Sequence, residues 1–224
     1  MTARTCYRLA AILASALLLA AGGALLAGCQ TVKPYDYTNF RAHPPRSILV
    51  LPPLNESTAI EGTYGYLTTV TRPVAERGYY VFPVAVVDQF MKENGLPTAN
   101  EMQQAPLAKV SEITGADAVL FLDLKQYGAH YQVLSSVVVV EVAAKLVDTR
   151  TGILLWEGHG VAQQNSNGSG NILGDLIAAA ITQALNKHTD RAHQVSRLAN
   201  ANLFFPEETG LPYGPYSPKY DKAH

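Results

Sequence analysis

Apolar residues run almost unbroken from Leu9 to Ala27, and behind them the chain changes to short-period patterns. Gln30 to Pro45 mixes Pro34, Pro44 and Pro45 with Tyr35, Tyr37 and Phe40 in neither the helical nor the strand period, which reads as a tether. Ser47 to Leu51 is a short apolar run closed by Pro52-Pro53, the pattern of a buried strand whose ladder must end there. Tyr64 to Arg77 reads as a helix that Pro73 kinks or splits, and Gly78 stops it before a strand over Tyr79 to Phe82. Val84, Val87, Phe90 and Met91 fall at helical spacing up to Asn94-Gly95. Pro106 then opens a helix carrying Leu107, Val110 and Ile113 on one face, with Gly115 as its stop.

The next stretch is strand-like. Ala118 to Tyr127 sets Leu120, Leu122 and Leu124 on one side, and Tyr131 to Val147 begins apolar on both faces and ends with Val142, Ala144 and Leu146 alternating against Glu141, Ala143 and Lys145. Asp148 to Gly152 is a turn, and Ile153 to Gln163 returns, so the last three strands form an antiparallel meander. Beyond a loop over Asn165 to Asn171, the residues Leu173, Leu176, Ile177, Ala180, Ile181 and Leu185 make a helical stripe wide enough to cover a sheet face. Asp190 caps a further helix with Val195, Leu198 and Ala199. Phe204 to His224, with four prolines among Tyr213, Tyr216 and Tyr220, is an extended tail, with its aromatics available to lay it on the domain. The expected fold class is α/β: a two-layer βαβ-type sandwich whose mixed sheet ends in an antiparallel meander and is packed by helices. The domains read as a leader over 1–28, a tether over 29–45, one α/β domain over 46–203 and the Pro/Tyr-rich tail over 204–224.

The leader changes the picture most. Arg4 and Arg8 precede the apolar run and Leu26-Ala27-Gly28-Cys29 closes it, the order of a bacterial lipobox, with cleavage between Gly28 and Cys29 and lipid attachment, including palmitate, on Cys29. An uncleaved spanning helix is the alternative, since the run approaches the length of a span. Gly22-Gly23 interrupts it, and such a helix has no reason to end in a small-small-Cys triplet. Either way Arg4 and Arg8 hold the N-terminus in the cytoplasm. Gln30 stands where an Asp would favour inner-membrane retention, so the expected place is the outer membrane, facing the periplasm, with the cell surface as the alternative face. Cys6 leaves with the leader, so no thiol remains for a disulfide or a metal. The whole chain has 17 basic and 18 acidic residues; loss of Arg4 and Arg8 leaves 15 against 18, a net charge of −3 with neutral histidines, which offers no footprint for nucleic acid.

Candidate chemistry is thin. Gly168-Ser169-Gly170 lies between a strand and a helix, but the next glycine, Gly174, comes one position late for a dinucleotide loop, and no Lys-Ser/Thr follows for a P-loop. Of the histidines at 43, 130, 159, 188, 193 and 224, only His188 and His193 are close, and at five apart they do not share a helix face as metal ligands do. Asp117, Asp123, Asp148 and Glu157 are the carboxylates available for acid–base work, yet Asp117 and Asp148 fall at turns, where carboxylates accept from amides. The sequons at Asn55-Glu56-Ser57 and Asn167-Gly168-Ser169 are idle behind a bacterial lipobox. The chain therefore reads as a non-enzyme with no cofactor and no metal.

Pro45 through Ser57, Gly78-Tyr79-Tyr80-Val81-Phe82-Pro83, and Leu146-Val147-Asp148 with Gly152 and Trp156 resemble a bacterial lipoprotein family of unknown function that includes a neisserial surface-exposed vaccine antigen. Gly115 to Val119 leading into a strand, then Asp148 to Gly152 between two strands, is similar in fold to the N-terminal domain of the Tol-system propeller protein and to the curli-secretion channel lipoprotein. The resemblance implies a role in envelope assembly or transport, with a lipoprotein of the curli-secretion-channel type as a partner, and transfers no catalytic residue. The alternative is a small-molecule carrier or sensor with an apolar cleft between helices and sheet. The strand Ile153 to Gln163 holds one charge, Glu157, and no proline, so either the tail or a second copy, as a homodimer, is expected to cover its edge. The tail tyrosines and the loop from Asn55 to Gly65 are the other contact surfaces.

Overall fold

The computed structural model describes residues 33–132, 135–165 and 191–220. Its elements in chain order are α1 (Thr38–Ala42), β1 (Ser47–Val50), β2 (Leu54–Asn55), α2 (Gly62–Glu76), β3 (Tyr80–Val81), α3 (Val84–Glu93), α4 (Ala99–Gln103), α5 (Leu107–Thr114), β4 (Ala118–Gln132), β5 (Ser135–Asp148), β6 (Leu154–Asn165) and α6 (Arg191–Phe204). The strands form one mixed sheet in the order β3-β1-β4-β5-β6, with β2 also paired to β4. Among the described residues β1, β2 and β3 pair in parallel, and β4, β5 and β6 form the antiparallel meander. This is the mixed α/β architecture that the apolar runs and periods predict.

Period-two alternation places the core. On β5, Val138, Val140, Val142, Ala144 and Leu146 are buried on one face together with Leu120, Leu122 and Leu124 of β4, Trp156 of β6, Tyr66 and Val70 of α2, and Val195, Ala199 and Leu203 of α6. On the opposite face α3, α4 and α5 cover only the β1 end, around Leu49, Leu51, Val119, Val87, Met91, Met102 and Val110. Gly160 lets α6 lie close on β6, since a Cβ there would stand 2.4 Å from the Ala199 carbonyl oxygen and 2.7 Å from the Leu203 Cβ.

At two places prolines would leave backbone carbonyls without donors, and a side chain fills each gap. Pro73 sits inside α2 without splitting it, although it cannot donate to the carbonyl four residues back, that of Thr69. Asn200 Nδ2, from α6, donates to that oxygen at 3.1 Å and to Thr69 Oγ1 at 2.8 Å, while the Tyr66 hydroxyl donates to Asn200 Oδ1. At Pro52-Pro53 the parallel ladder breaks between β1 and β2, and Gln103 Nε2 bridges the gap by donating to the Pro52 oxygen at 2.9 Å and the Leu122 oxygen at 2.8 Å. Gln103 is the last residue of α4, a helix the periodicity did not reveal; its start carries a capping box between Thr98 and Glu101.

Two further expectations are corrected. β4 continues past Tyr127 to Gln132 and β5 starts at Ser135, so the run from Tyr131 to Val147 belongs to two strands, paired from Ala118↔Asp148 to Gln132↔Ser135. The segment read as tether docks from Tyr35 onward: Phe40 is buried in the core, and the Tyr37 hydroxyl donates to the Gly210 oxygen at 2.6 Å. The Pro/Tyr-rich tail lies packed on the domain as well, with Leu211 buried and the Trp156 indole donating to the Thr209 oxygen at 2.9 Å. In both segments aromatic burial on a distant surface replaces regular structure as the source of order. The stripe from Leu173 to Leu185, the Asn165 to Asn171 loop beyond Asn165, and Asp190 lie outside the described residues.

Candidate interaction surface

The β6 edge is covered by the chain itself. Asn39 of α1 donates to the Leu154 oxygen at 3.2 Å and Asn202 of α6 to the Val161 oxygen at 2.8 Å. Tyr35 packs beside the same edge, where burial first, then the charge of Glu157, raises its phenol pKa despite a hydrogen bond from the Glu157 amide. The covering element is thus mainly the N-terminal segment and α6 rather than an added strand from the tail. Side-chain amides are suited to this, because they satisfy single edge carbonyls without extending the ladder. Trp156, expected near a pairing edge, is fully buried and stacked on Phe204 at 5.8 Å between centroids.

The outer face of the meander is uncovered by the described residues. Val137, Val139, Glu141, Ala143 and Lys145 of β5 and Glu157, His159 and Val161 of β6 lie there, with Val161 47% exposed. His159 and Glu141 pair across the strands at 3.0 Å. Asp123 and Lys125 pair on β4 beside a register shift, and Lys125 also reaches Glu56 at 2.7 Å. The loop Asn55 to Gly65 carries an Asx turn, the Asn55 carboxamide oxygen accepting from the Ser57 amide at 3.0 Å, and it displays Ile60 at 94% exposure.

The tail forms a clasp around Arg77. Arg77 is 5% exposed at the C-terminus of α2, and its Nε donates to the Phe204 oxygen at the C-terminus of α6, 2.9 Å away. Its guanidinium carbon lies 4.5 Å from the Tyr213 ring centroid and 5.3 Å from that of Phe205, within cation–π range. Burial lowers the Arg77 pKa, and the surrounding tyrosines and Glu207 pull it back upward. Burial likewise pushes the Tyr37 phenol up to about 12 and raises Tyr79, whose hydroxyl donates to the Pro212 oxygen at 2.7 Å. Gly78, at φ +91°, is required here, because a Cβ would meet the Ser217 amide nitrogen at 2.3 Å.

Two of the four carboxylates considered for catalysis are occupied as acceptors of backbone amides. Asp117 Oδ2 accepts from the Arg46 and Ser47 amides at 3.0 and 3.1 Å. Asp148 Oδ1 accepts from the Arg150 and Thr151 amides and the Thr151 hydroxyl at 3.1, 2.7 and 2.8 Å. Burial alone would raise the Asp148 pKa, but these donors and the Arg150 charge outweigh it and lower it. Asp123 and Glu157 join neither. Among the described residues no group of three or more His, Cys, Asp or Glu could hold a metal ion, and no helix is long and apolar enough to cross a membrane. Two clefts are present: one of about 450 Å³ where Asn202 and Leu203 of α6 meet β5 and β6, lined also by Tyr35, Lys145, Glu157 and His159, and one of about 240 Å³ beside Arg77. Gly28, Cys29 and the Gly168–Gly174 loop lie outside the described residues. Arg77 and its clasp went unread in the sequence, where the only trace is an Arg-Gly pair closing a helix.

A helix-backed mixed α/β sheet, in a chain whose Leu26 to Cys29 has the sequence expected of a lipobox, points to the class of lipoprotein domains. The chain belongs to the family described as "Putative lipoprotein GNA1162-like", whose model matches residues 35–216. It is 44% identical over 194 residues, 85% of this chain and 90% of the relative, to "Putative lipoprotein NMB1124/NMB1162" of Neisseria meningitidis serogroup B. The crystal structure of lipoprotein GNA1162 from Neisseria meningitidis superposes with a TM-score of 0.55 at 44% identity, covering 62% of this chain and 97% of that one.

Proposed function

We propose that the mature chain is a non-enzymatic outer-membrane lipoprotein, anchored through a lipidated Cys29 with its α/β domain in the periplasm, that serves as an accessory or assembly component of an envelope secretion or transport system. Membership of a lipoprotein family over residues 35–216 carries the reading, and the lipobox at Leu26 to Cys29 supports it. Two or three acyl chains on one cysteine hold a protein at a bilayer for practical purposes permanently, at about 0.8 kcal/mol per buried methylene. The domain then works by contact. Its self-covered β6 edge directs association away from strand addition and toward the open outer face of β5 and β6, where a second copy docks through Val139 and Val161 to form a homodimer.

The core argues against the carrier reading. Trp156, Tyr66, Phe204 and the leucines of β4 fill the core between helices and sheet, so among the described residues a ligand is left the cleft where α6 meets β5 and β6, whose lining carries the charged or polar Lys145, Glu157, His159 and Asn202. Crosslinking in intact cells followed by affinity purification tests the assignment. Recovery of a second copy and of an envelope transport component, a channel lipoprotein of the curli-secretion type included, is the expected result. Recovery of the chain alone, as a monomer that Val161→Lys leaves unchanged, would refute it.

A further inference from the structure

Arg77 and Lys219 share one aromatic ring. The Arg77 guanidinium carbon and the Lys219 ammonium lie 4.5 and 5.3 Å from the Tyr213 centroid, and Lys219 Nζ donates to the Tyr213 hydroxyl at 3.3 Å. Two cations beside one ring repel each other, and the ring quadrupole offsets only part of that cost. A carboxylate would normally complete such a group. Among the described residues no carboxylate reaches ion-pair distance of either cation: Glu207 acts on Arg77 only through its more distant charge, and Glu76, in the lining of the same cleft, is engaged with Arg72 at 2.7 Å. The helix-end carbonyls of α2 and α6 offset some of the Arg77 charge. Even so, a guanidinium has five N–H donors, and the Phe204 oxygen is the one described acceptor that Arg77 uses. The remaining capacity belongs to a cleft of about 240 Å³ lined by Glu76, Arg77, Phe205, Tyr213, Ser217 and Lys219. That volume is below the range of drug-sized ligand sites, so it suits a compact group.

We propose that this cleft binds a phosphate group, either free in solution or carried on a lipid headgroup. Arg77 supplies planar, pre-oriented donors fixed by the Phe205 and Tyr213 rings and by Phe204. Lys219 supplies a second, adjustable charge, and the Ser217 hydroxyl a neutral donor. A buried, immobilised arginine loses little freedom on binding, which favours a tetrahedral oxyanion over a diffuse charge. The site is independent of the lipid anchor and of the homodimer, and it assigns the clasp a ligand rather than a packing role alone.

The test uses the full mature chain in a neutral detergent, titrated with inorganic phosphate at constant ionic strength. Phosphorus NMR linewidths and the amide signals of Gly214, Ser217 and Lys219 report binding. Saturable changes at those amides are expected, weakened about fivefold in Lys219→Gln, as one partly exposed charge commands. Lys219→Gln is the deciding variant because Arg77 also holds the clasp, whereas Lys219 is exposed. Competition by short-chain phosphatidic acid would identify a lipid headgroup as the source, and its failure a free phosphate; each supports the site. The proposal is overturned if chloride reproduces the changes, if Lys219→Gln binds as well as the parent chain, or if saturation appears only after removal of residues 221–224, which would give the cations to the chain's own Asp221.

Discussion

Asn200→Ala should be among the most destabilising single substitutions in the α2–α6 interface, and its cost should depend on Pro73. The substitution removes the acceptor of the buried Tyr66 hydroxyl and the only described side-chain donor to the Thr69 carbonyl. Each buried polar group left unpaired costs about 1–3 kcal/mol, so the pair together with the small cavity should cost about 3–5 kcal/mol, a large share of the roughly 5–15 kcal/mol that holds a domain folded. Pro73→Ala restores an amide that can donate to the Thr69 oxygen along the helix. In that background Asn200→Ala should cost about 1–2 kcal/mol less, because one of the two orphaned groups has regained a partner. Urea denaturation of the four chains, followed by circular dichroism with equal slopes, measures the coupling. If the two substitutions add within about 0.5 kcal/mol, the limit for independent sites, Asn200 does not repair the gap that Pro73 leaves.

Gln103→Leu should lower stability by about 1–3 kcal/mol, since it strands the Pro52 and Leu122 carbonyls, and an unchanged urea midpoint would contradict the bridging role. Gly160→Ala should overpack α6 against β6 at a cost of about 1–3 kcal/mol, measured the same way. The lowered Asp148 pKa means that its stabilisation is present above the unfolded value of about 3.9 and is lost as pH falls through the folded value; Asp148→Asn should therefore flatten the acid limb of a Tm-against-pH curve. The raised tyrosine values act with the opposite sign. Their contribution is complete below about pH 10 and is lost as pH rises toward the folded values, so Tyr37→Phe should blunt alkaline unfolding. A chain ending at Phe204 should aggregate, because Leu211 and the carbonyl partners of Tyr37, Tyr79 and Trp156 leave with the tail.

What the sequence made legible was what periodicity encodes. The alternation in β5, the apolar runs of β1 and β4, the helical spacing from Val84 to Met91 and the glycine stops at 78, 95 and 115 all reappear as elements and ends. The division between β4 and β5 did not show, because apolar residues continue through it with no glycine or proline to mark a turn. α4 was hidden by its polarity: Ala-Asn-Glu-Met-Gln has no apolar stripe, and only the Thr98-to-Glu101 spacing signalled it. The particular contacts of the docked termini were beyond reach, since Tyr37 meets Gly210 across 173 residues of sequence, and Arg77 meets Phe204 across 127. Such contacts depend on tertiary closure and leave no local period. The turn role of Asp148 was readable from the composition around it, whereas the partners of Asp117, the distant Arg46 and Ser47 amides, and the Arg77 clasp required the fold.

The most direct test of the account is fatty-acid labelling of Cys29 in growing cells, with the mature N-terminus sequenced and the membranes separated by density. The account predicts label on a chain that begins at Cys29 and sediments with the outer membrane, no label on Cys29→Ser, and an unaltered product for Cys6→Ser. Label that persists in Cys29→Ser, or a mature chain that begins anywhere else, would contradict it.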